Sequence, residues 1–169
     1  KMTREAIVKR LRGPKGSKVK LGVQRRGIKD RLTFVVTRDK IPLTTVDVAY
    51  MIRPQVGYVR IESFGETTYD ELMAALEKLK QQGMTKLILD LQDNGGGYLK
   101  SAADIANEFL SRGNLIVYTQ GRRVPKQEYT ARGNGKYQDL PLYVLINEYS
   151  ASAAEIVSGA MQDHDRGTI

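Results

Sequence analysis

The sequence predicts an α/β fold, a mixed sheet with crossover helices packed against it, on three observations. From residue 86 to residue 169, apolar strand-like runs alternate with helical patterns, the order that parallel strands joined by crossover helices require. Residues 142–146 form an uninterrupted apolar run, which fits a strand covered on both faces. The chain has 169 residues, 41% of them hydrophobic, enough to build the core of one domain and unlike a disordered or fibrous composition.

Each element has its own signal. Ile7, Val8 and Leu11 share a short helical face, and Gly13-Pro14 stops that helix. Val19, Leu21 and Val23 alternate with Lys18, Lys20 and Gly22, the period of a strand. One helix and one strand bury little surface alone, so residues 1–26 are expected to be the end of a module that begins elsewhere. After the Arg26-Gly27 turn come strands at 32–37, at 46–52 with Val46, Val48, Tyr50 and Ile52 on one side, and at 57–64. Thr68 and Glu71 are spaced as a capping box for a helix whose Leu72, Leu76 and Leu79 share a face. A compact apolar strand at 86–91 leads into Asn94-Gly95-Gly96-Gly97. A helix follows on Ala102, Ile105, Ala106, Phe109 and Leu110, ending near Gly113. Residues 115–119 read as a strand of a third layer, 121–140 as a long polar surface excursion, and 142–147 as a buried strand. Residues 152–161 read as a helix with Ile156 and Val157 inward, and 167–169 as the opening of another strand.

The net charge of +8 is uneven: residues 1–40 hold 14 Lys/Arg against three Asp/Glu, and the remainder carries −3. A basic arm can engage nucleic acid or anionic lipid. No aromatic residue lies between Lys1 and Arg31, whereas a single-strand binder wants stacking platforms beside its charges. A solvated basic surface with no nucleic-acid partner is therefore the expectation. The absence of cysteine excludes disulfides, thiolate metal sites and a Cys nucleophile in this stretch. The single histidine, His164, makes a His-rich metal site implausible, and neither a metal nor a cofactor is expected. No apolar run reaches the roughly 20 residues needed to span a bilayer, so membrane contact is not expected of this segment. No signal-peptide pattern opens the chain, which begins at Lys1-Met2 in a helix-like pattern and reads as an internal fragment.

Two constellations can carry chemistry. In residues 147–156 (Asn-Glu-Tyr-Ser-Ala-Ser-Ala-Ala-Glu-Ile) a buried strand enters a tight turn of small residues and then a helix. Such a turn can present a serine hydroxyl at the helix N-terminus, where free N–H groups and the positive dipole end favour a developing oxyanion. A plain helix cap by Ser150 or Ser152 explains the same pattern. The second constellation, Asp93-Asn94-Gly95-Gly96-Gly97, lets the backbone turn sharply and expose N–H groups. An ordinary strand-to-helix turn fits it equally. Lys100-Ser101 superficially suggests a phosphate loop, but Leu99 and Asn94 occupy the positions where that loop needs glycine. A serine nucleophile also needs a proton acceptor within reach. His164 lies twelve residues beyond Ser152 on the same helix, roughly 18 Å away at 1.5 Å per residue.

Residues 147–162 closely resemble the nucleophile segment of the C-terminal processing (tail-specific) serine peptidases, the S41 family. Residues 88–97 (Ile-Leu-Asp-Leu-Gln-Asp-Asn-Gly-Gly-Gly) resemble that family's oxyanion strand and loop, and residues 57–64 with 68–72 resemble the segment before it. Residues 13–23 look like the end of a PDZ domain. The resemblance implies a tail-specific protease core, ClpP/crotonase-like, over residues 27–169, incomplete at its C-terminus, after a PDZ remnant at 1–26. It implies Ser152 as the nucleophile and an oxyanion hole from Ala153 and from Gly96 or Gly97. The family's general base, a lysine assisted by a glutamine, would lie beyond Ile169. Protein or peptide substrates bound by their C-terminal tails follow from it, with homo-oligomers allowed. So does a location in the bacterial cell envelope, periplasmic or membrane-anchored with the peptidase outside the cytoplasm. A non-catalytic peptide-binding protein on the same fold is the alternative, since a groove can outlast its chemistry.

Overall fold

A computed structural model describes residues 2–39 and 44–169, in two compact units bounded as Lys1–Leu43 and Thr44–Ile169. The first contains α1 (Arg4–Leu11) and an antiparallel hairpin of β1 (Lys18–Val23) and β2 (Leu32–Thr37). Thr3 Oγ1 caps α1 by accepting the Ala6 N–H at 3.3 Å. Arg38 closes the other end: its guanidinium donates to Leu11 O at 2.7 Å and Arg10 O at 3.1 Å, carbonyls that the last helical turn leaves unpaired. No residue of α1 is buried. The boundary expected at residue 26 falls instead at 43/44. The reason is pairing: β2 lies in continuous register with β1, from Lys18↔Thr37 to Val23↔Leu32, so it belongs to the first unit.

The second unit is built on a four-stranded mixed sheet of β3 (Val46–Arg53), β4 (Val56–Ile61), β5 (Lys86–Asp90) and β8 (Leu142–Leu145), in that spatial order. β3 runs antiparallel to β4, whereas β4, β5 and β8 are parallel. α2 (Thr68–Gln81) connects β4 to β5. α3 (Leu99–Phe109) and a separate antiparallel hairpin, β6 (Leu115–Gly121) with β7 (Val124–Thr130), lie between β5 and β8 in the chain, and α4 (Ala153–Asp163) follows β8. Val59 and Ile61, Leu87 and Leu89, and Leu142 and Val144 point to one side of the sheet. They join Leu72, Leu76 and Leu79 of α2, Ile105 and Phe109 of α3, and Val157 and Met161 of α4 in one buried cluster. Thr168 forms a single parallel bridge with Tyr143, beside β8.

Four expectations change. The polar stretch at 121–140 contains β7, whose polar residues are paired with β6 at the surface rather than forming an irregular excursion. β6 pairs with β7 in a two-stranded sheet of its own. β3 does not keep one alternation throughout, because a register shift at Val46/Val48 separates Val46 from the residues after it, so that Met51 is half-buried while Tyr50 and Ile52 are exposed. β8 is covered on one face, with Tyr143 and Leu145 exposed, so its apolar run does not mark burial on both sides here.

The capping box expected of Thr68 and Glu71 also takes a different form. Thr68 is the first residue of α2, and its hydroxyl accepts the Gly65 N–H at 2.7 Å. The Glu71 carboxylate reaches across to the start of β3, accepting N–H bonds from Thr45 at 2.7 Å and Val46 at 3.0 Å, and the Thr67 hydroxyl at 2.7 Å. Burial pushes this carboxyl up, but the Val46 amide, the Thr67 hydroxyl and the Thr45 donors outweigh it and hold the group below its ordinary 4.5. A carboxyl depressed in the folded state stabilises the fold above its unfolded pKa, and that stabilisation disappears as the pH falls through the lower folded value. Glu71→Gln is therefore expected to cost about 1 kcal/mol near neutral pH. The gap between the two proteins should close below pH 4.5, as urea denaturation over a pH series will report.

Candidate active site

The turn between β8 and α4 is fixed by Asn147 and Ser150. The Ser150 hydroxyl donates to Leu91 O at 2.8 Å and accepts the Asn147 N–H at 3.0 Å. Asn147 Oδ1 accepts the N–H groups of Asp93 at 2.9 Å and Tyr149 at 3.1 Å, while its Nδ2 donates to Asp93 Oδ1 at 2.9 Å. Ser150 is thus committed to joining the ends of β5 and β8.

Ser152 is arranged differently. It is exposed at the N-cap position of α4 with φ 56° and ψ −112°. A capping serine ordinarily has an extended backbone, and positive φ in a residue other than glycine costs of order 1–3 kcal/mol. The Glu155 carboxylate, one turn into α4, helps hold the conformation by accepting the Ser152 N–H at 2.6 Å. Ala153 and Ala154 are buried beneath the turn. The Ala153 N–H stands in the first helical turn with no acceptor among the described residues.

The glycine loop meets this turn at close quarters. Gly96 is buried with φ 96°, and a Cβ added there would lie 2.7 Å from Ser152 Cβ, 2.8 Å from Ala151 O and 2.9 Å from Ala153 N. Gly97 has φ 146° and lies against Phe64, where an added Cβ would fall 2.1 Å from the Phe64 carbonyl oxygen. Around it the Phe64 N–H donates to Gly96 O at 2.9 Å and the Tyr98 N–H to Phe64 O at 2.8 Å. The structure therefore brings Gly96, Ser152 and Ala153 together, with Gly97 as the next residue of the loop. The two glycine amides differ. Asn94 Oδ1 takes the Gly96 N–H at 2.8 Å, whereas the exposed Gly97 has no N–H acceptor among the described residues.

No lysine or histidine is hydrogen-bonded to Ser152 among the described residues. His164 is the C-cap of α4, with Nε2 2.8 Å from Leu115 O, at the helix end remote from the serine. Lys100 pairs with Asp104 one turn along α3. Beneath the site, the Tyr58 hydroxyl donates to the buried Asp90 carboxylate, which also accepts the Gln92 N–H at 2.8 Å. Burial and then that hydrogen bond push the Tyr58 phenol up to about 12. Three residues that sequence reasoning gave no role organise the site: Asn94, Asn147 and Glu155. Asn94 and Glu155 had signals, an Asx position before glycines and the third position after a helix-opening serine. Asn147 had an Asx-turn signal for its bond to the Tyr149 N–H, but none for its bonds to Asp93, 54 residues away.

Residues 55–169 match the model of peptidase family S41, more than half of the chain. The chain belongs to that family. Among curated relatives of this S41 chain, the "Carboxyl-terminal-processing protease" of Synechocystis sp. is 40% identical over 95% of the chain, and the "Carboxy-terminal-processing protease" of Bartonella bacilliformis 38% identical over 99%. The chain spans 38% and 39% of those two proteins. Among solved structures, "Photosystem II D1 C-terminal processing protease" superposes with a TM-score of 0.66 at 29% identity, over 92% of this chain and 43% of that one.

The glycine contacts set up a paired comparison. Gly97→Ala would drive a Cβ into the Phe64 carbonyl, whereas one at Gly95 meets nothing within 4 Å. Gly97→Ala is expected to destabilise the full-length protein by about 2 kcal/mol or more, and Gly95→Ala by less than about 0.5 kcal/mol. Chemical denaturation of the two variants checks the difference.

Proposed function

We propose that this S41 chain carries the nucleophile of a serine peptidase that cleaves protein substrates near their C-termini. The observation behind this reading is the exposed Ser152 hydroxyl, held by a positive-φ backbone at the mouth of α4 and pressed against Gly96. In this mechanism Ser152 Oγ bonds to the scissile carbonyl carbon as its proton passes to a base. The carbonyl oxygen becomes an oxyanion; as it re-forms the carbonyl, the C–N bond breaks, the base gives its proton to the departing amine, and water then hydrolyses the acyl-enzyme. The N–H groups of Ala153 and Gly97 receive the oxyanion, the larger part of such stabilisation coming from donors fixed before reaction.

The base in this reading is a lysine outside residues 1–169, assisted by a glutamine. A lysine serves when burial lowers its pKa enough to leave it unprotonated. The first unit is read as part of a PDZ domain, which takes a substrate tail as an added strand at its sheet edge. The substrates are protein C-terminal tails, the relatives being named for carboxyl-terminal processing. The cell envelope, with the peptidase outside the cytoplasm, is the location that goes with this reading. No helix among the described residues is long and apolar enough to cross a membrane.

The test is hydrolysis of an unstructured peptide with a free, apolar C-terminus. Full-length protein should cleave it, and Ser152→Ala should lower kcat/KM by about three orders of magnitude or more without loss of fold. Retention of activity in Ser152→Ala overturns the reading. The isolated segment 1–169 should turn over the same peptide little or not at all.

A further inference from the structure

Asn94 is fully buried, and all four of its polar atoms are engaged. Its Nδ2 donates to Ile61 O, the last carbonyl of β4, at 2.7 Å. Its Oδ1 accepts the Gly96 N–H at 2.8 Å. Its main-chain carbonyl accepts the N–H of Ala151, the residue before Ser152, at 2.9 Å, and its main-chain N–H donates to Leu91 O at 3.2 Å. One side chain thus bridges the ends of two parallel strands, while its own backbone holds the turn that carries the serine.

We propose that Asn94 is a positioning residue that sets the glycine loop against the Ser152 turn and assigns the oxyanion role to the Gly97 amide by occupying that of Gly96. The proposal rests on the serine-peptidase reading above. Two consecutive N–H groups of a tight turn cannot both aim at one oxyanion if the first is held by an Asx bond pointing back into the protein. Holding the Gly96 amide also fixes where its Cα meets Ser152 Cβ, so the distance between nucleophile and oxyanion donor depends on both Asn94 side-chain bonds. Neither bond touches the substrate, so their loss affects the chemical step more than ground-state binding.

Two variants of the full-length protein test this. Asn94→Ala removes both bonds and should lower kcat by about tenfold to a hundredfold with KM changed less than about threefold. Asn94→Asp keeps an acceptor for the Gly96 N–H but, when ionised, has no proton for Ile61 O. Protonation restores that donor, and burial among carbonyls raises the carboxyl's pKa. Per folded molecule, the ratio of Asn94→Asp to wild-type kcat should therefore rise as the pH falls from about 8 to about 5, a response that a change in the folded fraction alone would not produce. A wild-type kcat in Asn94→Ala overturns the proposal, as does a loss matching the unfolded fraction seen by circular dichroism, or a flat Asn94→Asp ratio. Ser152→Ala, measured alongside, separates the two levels. If it stays active, the peptidase reading fails. If it is inactive while Asn94→Ala has wild-type kcat, only the positioning role fails.

Discussion

No side chain fits between the glycine loop and the serine turn, and that exclusion organises the site. Gly96 approaches Ser152, Ala151 and Ala153 so closely that even a methyl group would overlap backbone atoms. Contacts this short exist only where one partner lacks Cβ and tolerates a positive φ. The serine accepts the matching constraint on its own side, with φ 56° stabilised by Glu155. Strain of this kind persists where the surroundings over-determine it. Here the surroundings are a buried asparagine, a second asparagine linking the two loops, and the alanine floor of α4.

The sheet explains why these loops meet at all. β4, β5 and β8 are parallel neighbours, so their C-terminal ends lie side by side. Phe64 follows β4, the glycine loop follows β5, and the serine turn follows β8. Ligand sites in open α/β sheets gather at those ends because the connecting loops converge there while the strands stay rigid. Phe64 pairs with Gly97, Ser150 reaches back to Leu91, and Asn147 holds Asp93, so each adjacent pair of loops is tied by hydrogen bonds. The stability of the core is converted in this way into the placement of one hydroxyl.

Much of the second unit was legible in the chain because its signals are local. The leucine spacing of α2, the apolar run of β5 and the strand–turn–helix pattern around Ser152 each declare an element without reference to the rest. The misreadings came where long-range pairing decides. β7 is polar because both its faces are near solvent, so hydrophobic period said nothing about a partner that only β6 supplies. β2 looked like the first strand of the larger unit until its pairing with β1 assigned it to the smaller one. Thr68 and Glu71 had the spacing of a local cap, yet Glu71 found better donors in the Thr45 and Val46 amides, across from its own helix. That Gly96, Ser152 and Ala153 lie together follows the strand–turn–helix order, which is local. Which of the two glycine amides is left without an acceptor is not local, since it depends on the one Asn94 holds.

The proposed role of Ser152 requires that it be activated by its position against the glycine loop rather than by its residue type. Mass-spectrometric mapping of full-length protein treated with a serine-directed fluorophosphonate tests this directly. A single adduct is expected, on Ser152, with none on the neighbouring Ser150, and that adduct should be lost in a folded Gly96→Ala variant. Labelling of Ser150, or labelling of Ser152 at an unchanged rate in Gly96→Ala, would contradict it.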